Sequence, residues 1–136
     1  RSQSPTDIVK YIIHPPKAVL PLFPARVRPI KGRVILVEGI FDVLNLHDKG
    51  LENSVCCFGT RNIDIEKLKL LKMSGVTGID LLFDPDDAGQ DAAERVIEMC
   101  EIAEILHKNI RLPAALGDAG ALTKNKVKDL KERLYG

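Results

Sequence analysis

The run Val34-Ile35-Leu36-Val37 constrains this chain more than any other segment. Four consecutive apolar residues, three of them β-branched, leave no polar face, so a strand built from them is covered on both sides. Doubly covered sheets are mostly parallel, and parallel neighbours need crossover connections, usually helices. The chain after Arg33 supplies that alternation. A helical stretch follows over residues 41–49, with Gly50 placed to stop it. A second strand covers residues 54–58, a helix residues 64–73, and a third strand residues 78–83. The longest helix spans residues 87–107, with Ala92, Ala93, Val96, Ile97, Cys100 and Ala103 on one stripe. A weaker strand at 109–112 precedes a last helix at 123–134 that turns Val127, Leu130 and Leu134 inward. The pattern predicts an α/β fold: a sheet of about four mostly parallel strands flanked by helices, over residues 33–136.

Residues 1–32 read differently. Six of the eight prolines lie before residue 30, so this part is an extended, irregular arm, with room for one helical turn at residues 7–13. Residues 1–33 hold seven Lys/Arg and one Asp, whereas residues 34–136 hold thirteen Lys/Arg and eighteen Asp/Glu. That asymmetry argues against a protein coated uniformly for nucleic acid. It suits a body that concentrates carboxylates for cations, with an arm that either touches phosphates or serves as a solvated linker. The 136 residues suit one domain, no apolar run is long enough to span a bilayer, and no signal-peptide pattern opens the chain. A first residue of Arg rather than Met leads us to expect a fragment or a processed chain. Cys56, Cys57 and Cys100 lack disulfide-framework or zinc-site spacing and read as small buried residues, in keeping with a reducing cytoplasm. His14, His47 and His107 have no partner at metal-ligand spacing. Without Trp and with few aromatics, base stacking is not the main grip on nucleic acid.

In parallel sheets ligands bind beyond the carboxyl ends of the strands, and there the acidic residues gather. The first strand ends in Glu38-Gly39-Ile40-Phe41-Asp42, with Gly39 free to bend and Asp42 about one helical turn after Glu38. The third ends in Asp84-Pro85-Asp86-Asp87-Ala88-Gly89. Three like charges within four positions repel unless a cation neutralises them. Oxygen-only donors select hard ions, Mg²⁺ or Mn²⁺, and Mg²⁺ is typically held by one or two carboxylates plus water and substrate phosphate. Part of this acidity serves the following helix as an N-cap, a role the spacing assigns to Asp87. Gly59-Thr60-Arg61-Asn62 follows the second strand on the same edge, either as an ordinary turn or with Thr60 and Arg61 near a substrate phosphate. Gly89 allows close approach of a backbone or a phosphate.

These residues carry a resemblance. Val37-Glu38-Gly39-Ile40-Phe41-Asp42 and Phe83-Asp84-Pro85-Asp86-Asp87-Ala88-Gly89-Gln90-Asp91-Ala92-Ala93 resemble the two acidic motifs of the TOPRIM family. That family is shared by bacterial DnaG-type primases, topoisomerases, OLD-type nucleases, RecR-type repair proteins and RNA maturases. The resemblance covers residues 31–134, and its wording is similar to primase, also at Cys57-Phe58-Gly59-Thr60, at Leu112-Pro113 and at Gly117-Asp118. It implies a Rossmann-like TOPRIM fold and Mg²⁺-dependent (or Mn²⁺-dependent) nucleotidyl transfer. It assigns Glu38 to the reacting phosphate, Glu38, Asp84, Asp86 and Asp118 to the metal, and Asp42 to the acidic patch beside Glu38. It further implies a single-stranded DNA template, nucleotides, a replicative helicase reached through other regions, and a cytoplasmic, nucleoid-associated place of work. The sequence departs from the family where Ala119-Gly120 follows Asp118, a place that often bears a second carboxylate. Neither a zinc module nor the basic template-gripping subdomain lies in these residues. TOPRIM nucleases or RNA maturases, and non-catalytic modules of the RecR type, use the same frame.

Overall fold

The computed structural model describes residues 23–24, 26–56, 63–112 and 119–136. The strands are β1 (Arg33–Leu36), β2 (Ser54–Val55), β3 (Gly78–Leu81) and β4 (Leu106–Asn109). The helices are α1 (Ile40–Asp48), α2 (Ile65–Met73), α3 (Asp87–Ala103) and α4 (Lys124–Tyr135), with a 3₁₀ turn at Ala119–Ala121. The strands form one sheet in the order β2-β1-β3-β4, and every pairing is parallel. The apolar run at 34–37 therefore sits at the sheet centre, with Leu36 opposite both Val55 and Leu81. Single ladder bonds continue past the strand ends, from Val37 N to Val55 O and from Leu82 N to Leu36 O, each at 2.9 Å.

Alternation along the strands divides the apolar residues between two cores. Val34, Leu36, Ile79 and Leu81 pack with Leu68 and Leu71 of α2 and Ala93, Val96 and Cys100 of α3. On the other face Ile35, Val37 and Leu82 pack with Val43 and Leu46 of α1 and Val127 and Leu130 of α4. Cys56 and Cys100 are buried and form no disulfide.

Three expectations need correcting. The long helix ends at Ala103, four residues before the expected end, because Glu104 turns into the left-handed region at φ 57°. The Ile105 N–H then bonds the Cys100 carbonyl at 2.9 Å and the Glu104 N–H the Glu101 carbonyl at 3.3 Å, the paired bonds of a Schellman stop. Consequently the fourth strand runs Leu106–Asn109 rather than 109–112. Finally, Gly39 does not use a glycine's freedom: its φ of −132° and ψ of 163° are ordinary extended backbone. The helical turn expected at residues 7–13, together with Cys57, lies outside the described residues.

Near the amino edge of the sheet lies a buried polar network that the sequence pattern did not announce. Asp80, in β3, is 1% exposed. It takes the Arg33 guanidinium on both carboxylate oxygens, at 2.7–3.2 Å, and the Tyr135 hydroxyl at 2.8 Å. Asn53 donates to the Tyr135 oxygen at 2.8 Å and to the Arg33 carbonyl at 3.1 Å. Burial and the hydrogen bond to Asp80 push the Tyr135 phenol well above its usual range, and the bond to Asp80 raises Arg33. Before β1, Phe23 pairs with Cys56 and Ile30 with Arg33, and the Lys31 ammonium caps the Tyr135 carbonyl at 2.7 Å.

Candidate metal-binding site at the carboxyl edge

Because all four strands are parallel, their carboxyl ends share one edge, and β1 and β3 are neighbours there. The chain leaves β1 through Val37 and turns at Glu38 into α1. It leaves β3 through the buried Leu82 and Phe83 and turns at Asp84 toward α3. The two exits meet: Glu38 Oε1 accepts the Asp84 backbone N–H at 2.6 Å. Glu38 and Asp84, 46 residues apart, are thus neighbours in space.

Asp86 joins them through α3. It is the N-cap of that helix, and its Oδ1 accepts the Gly89 N–H at 2.7 Å. The capping role expected of Asp87 belongs to Asp86, and Asp87 is the first helical residue, where its charge faces the positive end of the helix dipole. The helix thus starts one residue earlier than a cap at Asp87 would allow, because Asp86 holds the extended backbone of a cap, at φ −75° and ψ 171°, and its side chain reaches the third helical N–H. The cap uses one carboxylate oxygen of an exposed side chain. Gly89 is buried, and a Cβ there would collide with the Asp84 carbonyl and lie 3.0 Å from Glu38 Oε1. The close approach that Gly89 permits is therefore to this chain's own backbone. Asp42, in the first turn of α1, reaches back so that its Oδ2 accepts the Gly39 N–H at 3.3 Å. Thr60, Arg61 and Asp118 lie outside the described residues.

Two residues passed over in the sequence also belong here. Gln90 Nε2 donates to the Asp84 carbonyl at 3.1 Å, and Asn109 Nδ2 donates to Gln90 Oε1 at 3.1 Å. Neutral amides at a helix start and a strand end carry no periodic or charge signal.

The donor set is entirely oxygen. Among the described residues, no three His, Cys, Asp or Glu side chains gather into a cage that could enclose a metal by themselves. Oxygen donors of this kind suit hard cations and do not suit a structural zinc. The N-termini of α1 and α3 point to the same edge and lessen the repulsion among the carboxylates.

Known proteins share this frame. A DNA primase of Chlamydia muridarum is 36% identical over 102 residues, covering 75% of this chain and 17% of that protein. The chain therefore spans about a sixth of the primase it matches. The solved zinc-binding and RNA polymerase domains of the Aquifex aeolicus primase superpose with a TM-score of 0.66 at 29% identity, over 77% of this chain and 25% of that one. A DnaG primase catalytic domain solved with single-stranded DNA shares the fold, with a TM-score of 0.64 at 24% identity over 76% of this chain and 33% of that one. The Toprim-like family matches residues 35–132, and with both acidic motifs meeting at the carboxyl edge of a parallel sheet, the chain belongs to that family.

Proposed function

We propose that this chain is the metal-holding catalytic domain of a DnaG-type primase, joining ribonucleotides on a single-stranded DNA template. One observation carries the reading: the 2.6 Å bond from Asp84 N–H to Glu38 Oε1, which joins the acidic ends of two neighbouring parallel strands. The primase relatives and the DNA-bound catalytic domain of the same fold support it.

In this reading Asp84 and Asp86, with Glu38 and Asp118, hold Mg²⁺ or Mn²⁺. The bound ion would polarise phosphate oxygen and neutralise charge that builds up during transfer. Glu38 stands closest to the reacting phosphate and takes the proton of the attacking hydroxyl. Its other duty, accepting the Asp84 N–H, keeps the carboxylate aimed across the two strand ends. Asp42 completes the acidic patch beside it. Thr60 and Arg61 contact substrate phosphate. Template handling and helicase contact belong to parts of a longer primase. Such a protein works at the nucleoid in the cytoplasm. Among the described residues no helix is long and apolar enough to cross a membrane.

The test is Mn²⁺ binding by this chain, wild type against Asp84→Asn and Asp86→Asn. Asn retains a capping oxygen at position 86 and removes the charge. The expected result is saturable binding in the wild type, a loss of at least about tenfold in each variant, and unchanged far-UV circular dichroism. Equal affinity in all three chains would refute the reading. Incubation with Mg²⁺, labelled ribonucleotides and single-stranded DNA, in the protein that carries this chain, should extend primers; cleavage of the DNA without extension would instead make it a nuclease.

A further inference from the structure

Asp84 stands just past β3, where the sheet ladder no longer reaches. Both of its backbone groups are held by side chains. Its N–H goes to Glu38 Oε1 at 2.6 Å, and its carbonyl takes Gln90 Nε2 at 3.1 Å. Gln90 is itself held, because its Oε1 accepts Asn109 Nδ2 at 3.1 Å. One line of hydrogen bonds therefore runs from the end of β1, across the loop after β3 and the first turn of α3, to the end of β4. The line has a cost. Asn109 Oδ1 is buried and has no hydrogen-bond partner among the described residues, an arrangement that typically costs about 1–3 kcal/mol. An apolar residue at the end of β4 would avoid that cost, so stability alone does not account for the amide. What it gains is a fixed Gln90, and through Gln90 a fixed Asp84 peptide.

From this geometry we infer that Gln90 and Asn109 are positioning residues for the cation site. They set the angle at which the Asp84 carboxylate is presented, and neither touches the cation or the substrate. The inference rests on the proposed reading of Asp84 as a cation holder. Partners one step removed from a metal ligand commonly contribute 10- to 100-fold in affinity. A single neutral bond to a backbone carbonyl belongs at the lower end of that range.

The experiment is a double-mutant cycle on the intact chain. It reads the Mn²⁺ Kd and the urea unfolding midpoint for the wild type, Gln90→Met, Asn109→Leu, the double variant and Asp84→Asn. Gln90→Met should weaken Mn²⁺ binding about tenfold. Asn109→Leu should weaken it by a smaller factor while holding or raising the urea midpoint, since it removes the unsatisfied oxygen. The double variant should be no weaker than Gln90→Met, because both changes act through the one bond to the Asp84 carbonyl. A purely structural role would move midpoint and affinity together, and that result would overturn the inference. If Gln90→Met fails to fold, Asn109→Leu carries the test by itself. Loss of binding in Asp84→Asn with unchanged binding in Gln90→Met and Asn109→Leu would sink the positioning role alone. Unchanged binding in Asp84→Asn would sink the cation reading beneath it.

Discussion

Cys100 shows how burial alone gives one side chain a pH-dependent role. It sits in the core between α3 and the sheet, and desolvation, helped by Glu101, pushes its thiol from 9.0 up to about 11. In the unfolded chain the thiol ionises near its ordinary value, while the folded chain keeps it protonated. Its contribution to stability is complete below pH 9 and disappears as pH rises toward 11. The full effect is on the order of 2–3 kcal/mol. Urea titrations from pH 8 to 11 should show a decline that is shallower in Cys100→Ala, and parallel curves would contradict this account. The same residue scale shows what the sequence made readable. Glu38 and Asp84 stood out because each ends an apolar strand abruptly with a charge. Asp86 and Asp87 were confused because adjacent aspartates before a helix offer two capping oxygens, and only the backbone path decides between them. The roles of Gln90 and Asn109 were not readable, since they lie in partners 6 and 19 positions away.

Among the elements, α3 and β4 form the junction where pattern and structure part. The helix stop uses a glutamate in the left-handed region, where glycine or asparagine is usual and where an L side chain costs about 1–2 kcal/mol. With no glycine to mark the stop, the helix reads on to residue 107, and the strand is displaced downstream. β4 is also hard to recognise because it is an edge strand with mostly exposed side chains, whereas β1 and β3 are buried and declare themselves. Glu104→Gly keeps the Schellman bonds and removes the strain, so it should stabilise the chain by about 0.5–1 kcal/mol. A rise in the urea midpoint at unchanged slope would show it. A fall would mean that the glutamate side chain contributes more than the strain costs.

For the whole molecule, the sheet separates its two polar constellations. The carboxylates crowd the carboxyl edge, and the Arg33–Asp80–Tyr135–Asn53 network ties β1, β3 and α4 near the amino edge. Removing Asp80 strands a half-buried guanidinium and the Tyr135 hydroxyl. Asp80→Ala should therefore cost about 3–5 kcal/mol while leaving the Mn²⁺ affinity of the remaining folded chain unchanged. Chemical denaturation paired with a metal titration checks both halves. The strand and helix order was legible from residue 33 onward because buried parallel strands and amphipathic helices have distinct periods. The network was not, because a lone aspartate inside an apolar strand resembles an interruption until its partners, 47 and 55 residues away, are in place.

The central place of β1 also matters before the fold exists. Leu36 pairs with Val55 and Leu81, so the strand emerges from the ribosome ahead of both strands that flank it among the described residues. Distant pairings close slowly and leave a sticky, uncharged stretch open to neighbouring chains in the meantime. Aggregation through that open stretch is the hazard that this topology carries during folding.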